Sequence, residues 1–241
     1  MVRSALLVAA IAGASVSAHA RDTQDIRILD SGVLLPSARV SFDAANPRSV
    51  DGGSITFGVE FTGGRGSDGQ HIDAGAPVQF GGKTFSGSQD LRHDFRFQYF
   101  EGTLGPRRQL YRFPSLGWEL GLGFAFASVD LRTSSATQTA NENVNGLLYV
   151  VRAGASWEFL PRTRLAASAA LLEGSNQALD ITDGGRADAH VAWRPWRYTT
   201  VRAGYSWWWL NSGREAKDQG VIKSPIHLEF RGPSLGLELT F

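Results

Sequence analysis

The stretch that decides the fold is 116–126, which reads LGWELGLGFAF. Every second residue from Leu116 to Phe126 is large and apolar, and the positions between them hold glycine, alanine and Glu119. A period of two residues is typical of a β-strand whose two faces meet different environments. An apolar helix face would instead repeat every three to four residues. We therefore predict a strand here, with one apolar face and one face of small or polar residues.

The same alternation recurs along the chain. In 54–62, Ile55, Phe57, Val59 and Phe61 alternate with polar residues and glycine. After residue 20 no apolar run approaches the about 18 residues that a transmembrane helix needs. The pattern predicts eight strands, at 54–62, 92–99, 116–126, 147–159, 163–172, 186–194, 198–210 and 231–241.

The connections between these strands differ in length. The turns 160–162 and 195–197 are tight, whereas 64–90, 131–146 and 211–230 are long and polar. Short turns on one side and long loops on the other are typical of bacterial outer-membrane barrels. The sequence therefore predicts an all-β fold: an eight-stranded antiparallel up-and-down transmembrane β-barrel over 53–241, with long extracellular loops.

Residues 1–52 divide into two segments. Arg3, the apolar run 5–12 and the small-residue pattern Ala18-His19-Ala20 predict a cleaved signal peptide over 1–20, and hence export to the outer membrane. Residues 37–42 alternate acceptably, but this strand alone would give nine, and bacterial single-chain barrels have even numbers. A ten-stranded alternative would also use 78–85, which alternates poorly. We therefore assign 21–52 to a periplasmic N-terminal segment.

Aromatic residues gather at the two ends of the predicted strands. Two aromatic girdles around an apolar band are typical of barrels in a bilayer, because amphipathic rings favour the headgroup level. One predicted girdle holds Tyr99, Trp118, Trp157, Phe159, Trp193, Trp196, Tyr198 and Phe241, and the other holds Phe126, Tyr149, Trp207 and Trp209.

Charged residues occupy the predicted inward face. An eight-stranded barrel has room only for its own side chains or one small ligand, and buried charges must be paired. Arginine and carboxylate are suited to such pairing, so we predict an ion-pair network that fills the lumen. A pore in which Arg92, Arg96 and Arg152 select anions is the alternative. The predicted network is Glu60, Arg92, Asp94, Arg96, Glu119, Arg152, Glu158, Arg164, Arg186, Asp188, His190, Arg194, Arg202 and Glu238.

The final stretch of the sequence, 234–241, resembles the C-terminal assembly signal of outer-membrane proteins. Ser234, Gly236, Leu239 and Phe241 hold the polar, glycine, apolar and terminal aromatic places of that signal. The resemblance implies recognition by the barrel-assembly machinery. More broadly, the chain from 54 to 241 is similar in architecture to the small OmpA-like and OmpX/Ail-like barrels.

Three functions remain open at this point. We expect a non-enzymatic structural or surface-interaction barrel, in contact with outer-membrane lipids and lipopolysaccharide and with an extracellular ligand at its loops. The alternatives are a narrow channel for small polar or anionic solutes and a lipid A-modifying enzyme. For an enzyme, Asp188 and His190 share a face and Ser156 and Ser168 are candidate nucleophiles on neighbouring strands, but the His-x-Ser-Asn pattern of lipid A deacylases is absent.

Composition excludes further classes of function. The chain holds 24 basic and 23 acidic residues and no cysteine, which argues against a nucleic-acid partner and excludes disulfides. Asp68, His71 and Asp73 have the spacing of cation ligands, but glycine-rich loops gather such residues by composition alone. We predict no metal, cofactor or catalytic residue.

Overall fold

The computed structural model describes residues 24–45, 53–110, 113–174, 181–212 and 225–241. Within these ranges the regular elements are strands, which confirms the predicted all-β fold. No helix in the same ranges is long and apolar enough to cross a membrane. The predicted signal peptide at 1–20 lies outside the described residues.

Twelve strands form in the described part of the chain. Strands β4 and β5 form a small hairpin of their own, and the other ten belong to one sheet. The strands are β1 (Ile26–Asp30), β2 (Leu35–Ala45), β3 (Ser54–Ile72), β4 (Val78–Phe80), β5 (Lys83–Phe85), β6 (Gln89–Leu110), β7 (Phe113–Ser134), β8 (Thr139–Leu160), β9 (Thr163–Gly174), β10 (Ile181–Trp196), β11 (Thr199–Ser212) and β12 (Ile226–Thr240).

The large sheet closes into a ring. Its order is β2-β3-β6-β7-β8-β9-β10-β11-β12, and β12 pairs again with β2. The closing pair is parallel, with Leu35 beside Ser234 and Ser41 beside Thr240, while the other pairs of the ring are antiparallel. A ring of alternating strands with an odd number of members must contain one parallel pair. Among the described residues the ring thus has nine strands.

The predicted number of eight strands is wrong because 35–45 is a member of the ring. The even-number rule excluded this strand, and the parallel closing pair removes that objection. The ten-strand alternative is wrong in its choice of strands, since 78–80 and 83–85 pair only with each other. The assignment of 21–52 to a separate segment is wrong for 26–30 and 35–45, which lie in the sheet.

Strands β1 and β2 pair one after the other with the same edge of β12. Asp30 lies beside Phe230 and Leu35 beside Ser234, so five steps on one strand face four on the other. This one-residue mismatch is a bulge. A Cβ atom at Gly232, opposite the bulge, would lie 2.0 Å from the carbonyl oxygen of Val33. Glycine at this position therefore lets the two backbones approach.

Several strands extend far beyond their predicted ends. β6, β7 and β8 each contain 22 residues, and the predicted loop stretches 65–72, 131–134 and 139–146 are strand. The tight turns at 161–162 and 197–198 lie at one end of the ring, which we call the short-turn end. The opposite end, where 73–88 connects β3 to β6, is the long-loop end.

Candidate functional site

The outward face of the ring changes character at one level. Phe61, Phe100 and Phe126 lie side by side on β3, β6 and β7 and mark this level. From here to the short-turn end, which we call the lower half, the exposed outward side chains of β7 include Leu122 and Phe124, which are 64% and 56% exposed. Towards the long-loop end, the upper half, the outward face becomes polar. Its residues on β7 are Ser128, Asp130 and Arg132.

The inward face changes at the same level in the opposite direction. In the upper half the interior is apolar, and its centre is a group of buried aromatic rings. Phe97 packs against Trp208 at 5.0 Å and against Phe230 at 4.9 Å between ring centroids. Leu131 and Ile28 are also buried in this core. The upper half thus has the apolar interior and polar exterior of a water-soluble protein.

The lower half contains a network of ion pairs instead. Its centre lies just below the apolar core, where Glu60 and Glu101 lie side by side on β3 and β6. Arg152 on β8 reaches both carboxylates, at 2.9 Å from Glu60 and 3.4 Å from Glu101. The pairing of β3 with β6 places these two carboxylates next to each other, where their negative charges would repel. Arginines from other strands of the ring compensate this negative charge.

Arg186 on β10 is as deeply enclosed as Glu101 at the centre of the network. Its side chain is 1% exposed and donates to both oxygens of Glu60, at 3.4 and 3.2 Å. It also lies 3.4 Å from Glu101, and its guanidinium stacks over the rings of Tyr99 and Trp208 at 5.5 and 5.2 Å. Strands β3 and β10 lie on opposite sides of the ring, so this contact braces the ring across its interior.

Each further member of the network has a partner of opposite charge within 4 Å. Arg202 reaches Glu60 at 3.8 Å, and Arg164 reaches Glu238 at 3.1 Å. The network combines six arginines and six carboxylates, which are Arg39, Arg107, Arg152, Arg164, Arg186, Arg202, Asp43, Glu60, Glu101, Glu119, Asp188 and Glu238.

The structure brings most of the predicted lumen residues together. Eight of them are in the network, and His190 lies beside it, in a small cleft shared with Arg202 and Glu238. Glu158 and Arg194 are exposed at the short-turn end and line its opening. The eight predicted residues in the network are Glu60, Glu119, Arg152, Arg164, Arg186, Asp188, Arg202 and Glu238.

The predicted inward position of Arg92, Asp94 and Arg96 is wrong. Arg92 and Arg96 are exposed on the outward face of the upper half, and Arg92 pairs there with Asp94 at 3.1 Å. The alternating aromatic residues Phe95 and Phe97 point inward instead. The prediction assumed lipid outside the whole strand, whereas in the upper half the interior is the apolar environment.

Sequence reasoning missed four charged members of the network. Arg39 and Asp43 lie on β2, which the even-number rule excluded, and Arg107 lies in a stretch predicted to be a connection. Glu101 lies two residues beyond the predicted end of its strand. A longer strand could have been predicted, because the alternation between the two faces of β6 continues through 101 and 103 to 107.

The groups considered for the enzymatic alternative and for cation binding have other partners. The hydroxyl of Ser168 donates to the carboxylate of Asp188 at 3.4 Å, and Ser206 donates to the same carboxylate at 2.7 Å. His71 pairs with Asp90 at 2.7 Å. Asp68 accepts a hydrogen bond from the backbone of β1, and the described residues hold no group of three metal-ligating side chains.

Several outward aromatic residues of the predicted girdles lie near the two edges of the apolar face. Trp157, Trp193, Trp196 and Tyr198 are exposed near the short-turn end, and Tyr149 and Trp207 are exposed near the level of Phe126. The prediction is wrong for Tyr99, which points inward, is buried and donates to Glu101 at 2.6 Å.

Residues of the predicted assembly signal lie at the closing pair of the ring. Phe241 is outward and stacks on Tyr198 and on Phe42, with centroids 5.8 and 5.5 Å apart. Leu239 is also outward, whereas Ser234 and Gly236 lie on the inward face. The backbone of Phe241 exchanges hydrogen bonds with β2, since its amide donates to Ser41 and its carbonyl accepts from Asp43, both at 3.0 Å. The segment thus holds the parallel pair together.

No family model, curated protein or solved structure matches this chain. We therefore infer its function from the geometry of the ring.

Proposed function

We propose that this protein is an outer-membrane β-barrel with a structural or surface-interaction role. The observation that carries the proposal is the change of the outward face at Phe61, Phe100 and Phe126 while the strands continue beyond it. An exposed apolar surface around the whole lower half would be unstable in water, and a lipid bilayer would cover it. The polar outward face of the upper half would lie in the water outside the cell.

The height of the apolar belt supports this proposal. On β7 the belt runs from Leu116 to Phe126, which is ten residue steps along the strand. At about 3.3 Å per step and a tilt of about 40°, the belt is about 25 Å high, the height of the apolar band of outer-membrane barrels. Exposed aromatic residues near both edges fit the two interfaces of the bilayer.

The upper half supports a role at the surface. Its strands form a continuous extension of the ring with an apolar core, so it would present a rigid polar surface instead of flexible loops. The proposed partners are outer-membrane lipids and lipopolysaccharide around the belt and an extracellular ligand at the long-loop end. The barrel-assembly machinery is the proposed partner during biogenesis, through 234–241.

The interior supports a closed barrel over a channel. The central ion pairs are at most 8% exposed, and the apolar core above them is buried as well. Purified protein in planar bilayers is expected to show no stable single-channel conductance. Reproducible anion-selective steps would refute the closed barrel and establish the channel alternative.

Two cellular measurements test the location and the enzymatic alternative. We expect the chain in the outer-membrane fraction and a heat-dependent shift of its migration in SDS gels. Recovery in the soluble periplasm would refute the proposed location. A mass change of lipid A in overexpressing cells, lost on His190→Ala, would establish an enzyme instead.

A further inference from the structure

A cavity of about 370 Å³ opens at the short-turn end of the ring, below the ion-pair network. We call it the basal cavity. Its lining includes two carboxylates, Asp43 and Glu158, and five arginines, which are Arg107, Arg108, Arg162, Arg164 and Arg194. Liquid water occupies about 30 Å³ per molecule, so the basal cavity has room for a small ligand with part of its hydration shell.

The charge in the basal cavity is not balanced within the described residues. Arg107 pairs with Asp43 at 3.6 Å, and Arg164 pairs with Glu238 at 3.1 Å. No carboxylate of the described residues lies within 4 Å of the guanidinium of Arg108, Arg162 or Arg194. This contrasts with the network above, in which every arginine has a carboxylate partner. The five arginines and two carboxylates at the lining leave three positive charges in excess.

The backbone fixes two of the unpaired arginines, Arg162 and Arg194, near each other. Arg162 lies in the tight turn between β8 and β9 and has a positive φ of 66°. The amide of Arg194 donates to the carbonyl oxygen of Arg162 at 2.8 Å, which ties the end of β10 to this turn. The origins of both side chains are therefore held in place before a ligand arrives, and such preorganisation lowers the cost of binding.

We propose that the basal cavity binds a small anion that carries two or more negative charges on phosphate groups. The planar guanidinium of arginine matches the oxygens of phosphate and forms charge-assisted hydrogen bonds with them. The excess of positive charge at the lining selects a polyvalent anion over chloride. The ion-pair network closes the upper side of the basal cavity, so the anion is bound in the cavity and does not pass through the ring. Under the proposed orientation the opening faces the periplasm, but the binding itself does not depend on the membrane.

Calorimetric titration of the full chain in detergent with inorganic pyrophosphate tests the proposal. The variant R162Q/R194Q removes two of the unpaired charges, those that the backbone holds near each other. The matched control, R92Q/R96Q, removes two exposed arginines from the outward face at the other end of the ring. We expect saturable binding by the unmodified chain and the control, and binding at least about tenfold weaker for R162Q/R194Q, because two charge-assisted hydrogen bonds are lost.

Equal affinity of the two double variants, or no saturable binding by the unmodified chain, would overturn the proposal. Heat-dependent migration in SDS gels checks that each variant is folded, and if R162Q/R194Q does not fold, R194Q alone is judged by the same criterion. A chain recovered from the soluble periplasm would refute the proposed membrane location without affecting this titration, so the two failures are distinguishable.

Discussion

Replacement of Arg186 by methionine is the most direct perturbation of the ion-pair network. The guanidinium lies within 3.4 Å of carboxylate oxygens of Glu60, Glu101 and Asp188. Methionine keeps the unbranched apolar stem but lacks the guanidinium end, so the change removes the charge, its hydrogen bonds and the ring contacts of that group. It leaves three buried or half-buried carboxylates with fewer cations than before.

The expected loss of unfolding free energy is about 3–4 kcal/mol. Removing one partner of a buried ion pair costs about 3–5 kcal/mol, because the remaining charge is left uncompensated. The lost contacts with the rings of Tyr99 and Trp208 add to this cost. Arg152 still lies 2.9 Å from Glu60, and Ser206 still donates to Asp188, which places the effect near the lower limit. A loss of about 3 kcal/mol lowers the folding equilibrium constant more than about a hundredfold.

Urea unfolding in lipid vesicles, followed by tryptophan fluorescence, measures this loss. The matched control is Arg96→Met, which removes an exposed arginine and is expected to change the unfolding free energy by less than about 0.5 kcal/mol. Adding Glu101→Gln to Arg186→Met removes one uncompensated carboxylate and should restore part of the stability. A loss for Arg186→Met as small as that of the control would refute the proposed brace across the ring.

Two further pairs of substitutions test the apolar core and the closing pair by the same assay. Phe97→Ala, in the apolar core, should cost about 3–5 kcal/mol, whereas Phe100→Ala, on the exposed outward face, should cost much less in detergent; the reverse order would refute the inward position of Phe97. Gly232→Ala places a Cβ 2.0 Å from the carbonyl oxygen of Val33 and should cost about 1–3 kcal/mol. Gly102→Ala has open space at its Cβ and is the matched control, so an equal effect of the two substitutions would contradict the tight bulge.

The alternation of 116–126 was sufficient to predict a strand and its faces. Leu120, Leu122 and Phe124 are outward and Glu119 lies in the interior, as the pattern indicated. Here every outward residue lies within the apolar part of the outward face, so a single rule holds along the whole stretch.

The orientation of β6 could not be predicted in the same way. Alternation shows that the two faces of a strand differ, but the direction of the apolar face depends on whether lipid or water lies outside. Phe97 points inward and Phe100 points outward, and under the proposed membrane location the environment outside β6 changes near Phe100. Their positions differ by three, and this odd spacing, which places the two aromatics on opposite faces, was a local signal of the change.

The closing pair was the second feature beyond the reach of the local pattern. The alternation of 37–42 indicated a strand, but its parallel pairing with β12 joins residues almost 200 positions apart in the chain. A rule on even strand numbers therefore outweighed the local evidence. The omission of β2 also made the predicted network incomplete, because β2 carries two of its charged residues, Arg39 and Asp43.

The change of environment along the outward face is the central claim, and site-directed spin labelling measures it most directly. The chain contains no cysteine, so single cysteines at Leu122, Phe124, Asp130 and Arg132 each give one label on the outward face of β7. In lipid vesicles, labels at 122 and 124 should be accessible to oxygen and shielded from a water-soluble nickel chelate, while labels at 130 and 132 should show the opposite. Equal accessibility to the nickel chelate at all four positions would contradict the account.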